Sequence, residues 1–202
     1  MKTRLFTSES VCAGHPDKIC DQISDAIVDA ALSVDPRSRI AIETVAGADM
    51  ICMFGEVKTK ANIDFEKVAR ATIKRLGYTV PAWGFSQKSK FTNFVHEQSP
   101  EISMGVDKDN AIVAAGDQGM MFGFACDETP ELMPLPIRIA HSLTERIDEM
   151  REKGKIPWLR PDGKAQVTVR YENNKPVAIE KIVAAVAHDE KTSAKQVRMD
   201  VI

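Results

Sequence analysis

One order of predicted elements occurs twice along this chain, and that repeat limits the fold more than any other feature. From Asp17 to Val34 the apolar residues Ile19, Cys20, Ile23, Ile27, Ala30, Ala31 and Val34 recur at helical spacing. Pro16 suits the first turn of that helix, and Asp35-Pro36 ends it. Two strand-like runs follow, Arg39 to Val45 and Met50 to Val57, joined by Ala46-Gly47-Ala48-Asp49 as a hairpin with a Gly-containing turn. A helix comes next, capped by Asp64, with Phe65, Val68, Ala69, Ile73 and Leu76 as its stripe and Gly77 at C′.

The order restarts at Pro134. Ile137, Ala140, Leu143, Ile147 and Met150 form a helical stripe, closed by Arg151-Glu152-Lys153 and Gly154. Strands over Gln166 to Tyr171 and Val177 to Ala187 are joined by Glu172-Asn173-Asn174-Lys175-Pro176, and Ser193 or Thr192 caps a helix from Ala194. Repeated helix–hairpin–helix units with sheets packed against helices predict an α+β fold. The expected division is a first domain over 1–100, a loop and linker over 101–112 with the loop core at about 98–108, and a second domain over 113–202. The last helix has barely two turns at Ile202, too few to be stable alone, so the repeat predicts about ten further residues. The chain is expected to be the front part of something longer.

Between the repeats, Ser86 to Asn110 is polar and aperiodic, and it reads either as disordered or as a functional lid. Ala111 to Cys126 is largely apolar and rich in Gly.

Composition excludes some functions. With 44% hydrophobic and 28% charged residues the chain can bury a core without staples. A net charge of −2 argues against a nucleic-acid partner held by a large positive field. No run approaches the ~20 apolar residues of a membrane span. The segment Met1 to Glu9 lacks the apolar run of a signal peptide. Cys12, Cys20, Cys52 and Cys126 show no C-x-x-C pair, which fits free thiols in a reducing, cytoplasmic compartment.

Several residues could carry chemistry. Gly14-His15-Pro16-Asp17-Lys18 opens the first helix, whose free N–H groups attract phosphate; His15 and Lys18 would add donors and Asp17 could hold Mg²⁺. On the pattern alone, plain capping by Asp17 is the favoured reading. Asp21, Asp25 and Asp29 continue at four-residue spacing and read as a solvated face. Asp117 stands in the apolar, Gly-rich run, where a carboxylate is either paired, facing a ligand, or a turn residue. Glu43 and Glu56 occupy strands, where acids are depleted; outward alternation explains the first and a strand end the second. Pro161-Asp162-Gly163 reads as a turn, with Lys164 just past it able to reach a phosphate. His96, His141 and His188 form no triad or ligand spacing, and the chain has no Walker A or G-x-G-x-x-G sequence.

Six ordered segments resemble the S-adenosylmethionine synthetase (methionine adenosyltransferase) family. They are Phe6-Thr7-Ser8-Glu9-Ser10-Val11, Gly14 to Lys18, and Asp21-Gln22-Ile23-Ser24-Asp25-Ala26; then Gln98-Ser99-Pro100-Glu101-Ile102 with Gly105-Val106-Asp107; Gly116-Asp117-Gln118-Gly119 with Met121-Phe122-Gly123; and Leu159 to Lys164 with Gln166-Val167-Thr168. Ala114 stands where the family usually has Gly, and Phe124 where Tyr is common. The family's Gly-Gly-Gly-Ala-Phe-Ser-Gly-Lys-Asp segment is not in this sequence, so the chain by itself is expected to be an incomplete catalyst.

The resemblance implies a reaction in which the methionine sulfur attacks the ribose C5′ of ATP and expels triphosphate, which is then cleaved to pyrophosphate and phosphate. It implies that His15 and Lys164 contact phosphate, that Asp162 and Gly163 help bind ATP, and that Asp17 holds Mg²⁺ (two ions per site in the family) while Glu43 serves a K⁺ site. Glu56 and Gln98 would contact L-methionine, with Asp117 at the methionine and sulfonium end. The stretch Gln98 to Lys108 corresponds to the family's mobile active-site loop. Self-association as a dimer or dimer of dimers, with active sites between subunits, is implied too. The alternative is a truncated, non-catalytic paralogue that binds and modulates a full-length partner.

Overall fold

The computed structural model describes residues 3–99 and 118–202. The expected lid falls largely outside these residues, as does Asp117. The elements are β1 (Thr3–Val11), α1 (Pro16–Leu32), β2 (Arg39–Gly47), β3 (Met50–Lys58), α2 (Phe65–Arg75), β4 (Lys90–Glu97), α3 (Leu135–Glu152), β5 (Leu159–Glu172), β6 (Lys175–His188) and α4 (Ala194–Val201). The α+β class and the twice-repeated helix–hairpin–helix order are both present. The chain forms two compact units, Met1–Lys18 with Gly123–Ile202, and Ile19–Phe122.

In the first unit the strand order is β1-β5-β6, with every pairing antiparallel. β1 was not expected as a strand. Its partner lies far along the chain: Thr3 pairs with Glu172 and Val11 with Lys164. β5 alternates buried and half-buried residues along its whole length, as a strand with one face on a helix must. Val167, Val169 and Tyr171 are buried with Ala140, and Leu135, Ile139 and Leu143 of α3 pack against them. The β5–β6 connection is tighter than the expected five residues. Asn173 and Asn174 both have positive φ (50° and 65°), the two-residue turn whose twist suits a hairpin and which Asn tolerates.

The second unit has the order β2-β3-β4, with β2–β3 antiparallel and β3–β4 parallel. Here the turn is Ala48-Asp49, at φ 47° and 58°, and Gly47 closes β2. Gly55 is required where the backbones of β2 and β3 approach: a Cβ there would lie 2.0 Å from the Ala41 carbonyl oxygen, and its φ is +132°. Ile19, Ile23, Ile27 and Ala31 form the buried stripe of α1, while Asp21, Asp25 and Asp29 are exposed. Ser24 of α1 meets Thr44 of β2 at 2.9 Å between hydroxyl oxygens. α2 is capped as its sequence predicts: Asp64 accepts from the Lys67 N–H at 2.9 Å, and Gly77, at φ 97°, lets the Tyr78 N–H return to the Ile73 carbonyl.

β4 corrects the reading of Ser86 to Asn110 as wholly irregular. Its residues are mostly exposed, so they carry no apolar alternation, and the strand is held by its ladder to β3. Asp49 aligns it, accepting from Ser89 Oγ at 2.8 Å and from the Lys90 N–H at 3.0 Å. Among the described residues no helix is long and apolar enough to cross a membrane. No disulfide joins any of the four cysteines.

Candidate active site

The site residues of the first unit are assembled by one clasp. Where β1 ends, the Cys12 N–H donates to the Gly163 carbonyl at 2.8 Å, and the His15 N–H closes a turn on the Cys12 carbonyl at 3.0 Å. Gly14 lies flat against Pro161; a Cβ there would be 2.3 Å from the proline Cβ and 2.5 Å from its carbonyl oxygen. This delivers His15 and Asp17 to the start of α1, where the positive end of the helix dipole favours an anion. The Asp17 N–H donates to His15 Nδ1 at 3.3 Å, so the ring presents Nε2–H as a second donor. Lys164 Nζ sits 3.0 Å from Glu9 Oε1. Lys164, and more weakly Gln166 and His15, hold the Glu9 carboxyl below its ordinary range.

Pro161-Asp162-Gly163-Lys164 is not a turn, contrary to expectation. It lies within β5: Lys164 is the last residue that β1 pairs, and Pro161 to Gly163 lie beyond that ladder, where the β5–β6 register is irregular between Leu159 and Gly163. A proline is tolerated at such a position because little ladder bonding is lost there. Cys12, buried beneath this segment, has its thiol pushed up to about 12 by burial and by the charges of Asp148 and Asp162, so it is inert as a nucleophile at neutral pH.

In the second unit Glu56 and Gln98 come together. Glu56 is not at a strand end, since β3 runs on to Lys58. Gln98 is placed by its own N–H, which donates to the Val57 carbonyl at 2.9 Å. Arg39 Nε donates to Gln98 Oε1 at 3.0 Å, and Gln98 Nε2 donates to Glu56 Oε1 at 3.3 Å. Because arginine can only donate, it fixes which end of the amide faces Glu56. Glu43, opposite Phe54, is exposed as alternation predicts, and Glu56, opposite Ala41, shares its face. That face also exposes Val45 at 53%, Phe54 at 43% and Phe94 at 64%, a patch that monomeric surfaces usually cover.

Two family models together match nearly the whole chain. The model described as "S-adenosylmethionine synthetase, N-terminal domain" matches residues 3–100, and "S-adenosylmethionine synthetase, central domain" matches residues 112–202. The chain belongs to the S-adenosylmethionine synthetase family. It is 49% identical to the S-adenosylmethionine synthase of Sulfurovum sp. (strain NBC37-1), over 96% of this chain and 50% of that protein. It is 47% identical to that of Clostridium tetani (strain Massachusetts / E88), covering 98% and 54%, and 48% identical to that of Helicobacter pylori (strain Shi470), covering 98% and 52%. The chain spans about half the length of the curated relatives it matches.

Within this family member, the described residues include no group of three or more His, Cys, Asp or Glu side chains able to hold a metal ion. Asp17 is a single carboxylate, 92% exposed. One exposed carboxylate suits Mg²⁺, which keeps most of its shell as water and phosphate oxygens. Glu43 is likewise a single exposed carboxylate, offering one oxygen ligand set.

Sequence reasoning missed Glu9 and Arg39, whose roles arise only from partners 155 and 59 residues away. The three remaining histidines have partners within the fold: His141 has Ser10 Oγ at 2.8 Å, and His96 and His188 the carbonyls of the adjacent Glu97 and Asp189. An apolar cleft of about 950 Å³ lies between α3, β6 and α4, and no candidate residue lines it.

Proposed function

We propose that this chain supplies phosphate- and methionine-facing residues of a methionine adenosyltransferase. In that reaction a lone pair of the L-methionine sulfur forms a bond to C5′ of ATP. The C5′–O bond breaks, its electron pair leaves with triphosphate, and S-adenosylmethionine carries the sulfonium charge. Water then cleaves the triphosphate to pyrophosphate and phosphate. A thioether has no proton to lose, so the first step needs alignment and stabilisation of the leaving group, not a general base.

The observation that carries this reading is the clasp of Cys12–His15 on Pro161–Lys164. It turns a helix N-terminus, a histidine donor and a lysine toward one place, an arrangement suited to a polyphosphate. In this reading His15 and Lys164 bind phosphate, and Asp162 and Gly163 line the ATP site. Asp17 would hold Mg²⁺ and Glu43 K⁺; a bound Mg²⁺ would supply charge neutralisation for the departing triphosphate. Glu56 binds the methionine ammonium, and the Arg39-fixed Gln98 keeps that carboxylate in place. Asp117, outside the described residues, belongs at the sulfonium end. The exposed Val45–Phe54–Phe94 face supports self-association, as a dimer or dimer of dimers with sites between subunits. A cytoplasmic location accompanies this reading.

The test is carried out on the complete translation product that contains this sequence, supplied with ATP, L-methionine, Mg²⁺ and K⁺. S-adenosylmethionine and released phosphate are quantified together. Methionine-dependent formation of both is expected, and it should collapse in Asp17→Ala and Lys164→Ala. Rates unchanged in both variants would reject the role assignments.

A further inference from the structure

The loop that carries His15 is held from a second side, by a helix face no site assignment includes. On α3, His141, Thr144 and Asp148 are spaced by three and four residues and so share one face. His141 Nδ1 lies 2.8 Å and Thr144 Oγ1 3.0 Å from Ser10 Oγ, and the Thr144 carbonyl accepts from Cys12 Sγ at 3.8 Å. Asp148 Oδ2 accepts from the Ala13 backbone N–H at 2.7 Å. Successive contacts therefore follow the chain from the end of β1 to within two residues of His15.

We propose that Asp148 is a positioning residue for the phosphate-facing loop, fixing Ala13 from the α3 side so that His15 and the start of α1 are held in register with Lys164. This rests on the reading of that loop as phosphate-facing.

Three observations separate Asp148 from an ordinary surface acid. Its side chain is only 17% exposed, and Oδ1 is buried without a hydrogen bond, 3.6 Å from Arg151, itself only 12% exposed. Burial raises its carboxyl above the ordinary range, so the charge is kept at an energetic cost. A leucine would fill such a position without that cost. What leucine cannot do is accept a backbone N–H, and a carboxylate does so with a short, directional, charge-assisted bond. β5 holds the same loop from the opposite side, through the Gly163 carbonyl and Pro161. Releasing the helix side leaves the loop tethered only to the strand.

The experiment compares Asp148→Ala, Asp148→Asn and His15→Ala in the complete translation product. Amide hydrogen exchange at Ala13 and steady-state kinetics are measured for each. In Asp148→Ala, protection of the Ala13 amide should fall by at least about tenfold and KM for ATP should rise about five- to tenfold. KM for methionine should stay within about twofold, because the Glu56–Gln98 set is built elsewhere. Asp148→Asn retains an acceptor oxygen and should restore both the protection and KM for ATP. If Asp148→Ala does not fold, Asp148→Leu carries the same expectations with the volume preserved. Unchanged Ala13 protection would overturn the clamp. Lost protection with unchanged KM for ATP would overturn the positioning role, provided His15→Ala raises that KM. If His15→Ala also leaves ATP handling untouched, the phosphate reading of the loop is what fails.

Discussion

The Sγ of Cys12 occupies the place where a side chain at Gly163 would begin: a Cβ built on Gly163 lies 2.8 Å from that sulfur. Cys12 is 1% exposed and cannot swing out of the way. Gly163→Ala should cost about 1–3 kcal/mol, the usual range for overpacking. In a Cys12→Ala background most of that cost should vanish. Denaturant unfolding of the four proteins of the cycle measures the coupling, and strict additivity would contradict the packing described.

Gly55→Ala is expected to be worse. Its Cβ would meet backbone, the Ala41 carbonyl oxygen at 2.0 Å, and φ of +132° is strained for any L side chain. No rotamer change relieves either problem, so a loss of about 3 kcal/mol or more is expected in thermal or denaturant unfolding.

The helices and hairpins were legible because local signals suffice for them: an Asp cap, a glycine at C′, a 3.6-residue stripe. β1 and β4 were not legible. Both β1 and β4 are exposed on most of their residues, and what makes each a strand is a ladder supplied from elsewhere in the chain. Pro161-Asp162-Gly163 misled for a related reason. Those residues favour a turn locally, but the register irregularity of a long hairpin absorbs the proline. At the site, His15 and Asp17 were legible as the start of a helix, and the strand acids Glu43 and Glu56 as oddities. Glu9, Arg39 and Asp148 look like ordinary surface charges until their distant partners are seen.

Lys164→Ala should separate stability from function. Both members of the Lys164–Glu9 pair are substantially exposed, 42% and 51%, and such pairs contribute little to folding. The unfolding midpoint should stay within error of the wild type. Triphosphate release should fall about 10²–10³-fold, the range for removing one preorganised donor from a developing anion. A parallel loss of stability would show that Lys164 is a structural residue.

Arg39→Lys tests the amide lock on Gln98. A lysine ammonium lacks the planar fork that addresses Oε1, so the amide can turn and cease to donate to Glu56. KM for methionine should rise about five- to tenfold, and KM for ATP should not change. Equal increases in both would contradict the assignment.

Asp148 also makes a prediction about pH. Its carboxyl titrates above the ordinary 3.8 because burial favours the neutral form. The folded chain therefore holds this proton more tightly than the unfolded chain does. Its contribution to stability is fullest below about pH 4 and declines as pH rises through the raised value. Other carboxyls, such as Glu149, are lowered by their cationic partners and push the opposite way. The informative quantity is the stability of the wild type minus that of Asp148→Asn, which should fall with rising pH across this window.

The pairing of β1 with β5 has a consequence for how the protein is made. Thr3 to Val11 leave the ribosome well before their partners, which begin at Lys164. At synthesis rates of about 5–20 residues per second, the first strand waits roughly 8–30 s with both edges open. Leu5 and Phe6 are exposed even in the finished sheet, at 62% and 45%. Throughout that interval the nascent chain presents a sticky ribbon to whatever is nearby, and the residues that lead into the His15 loop are among the last to find their place.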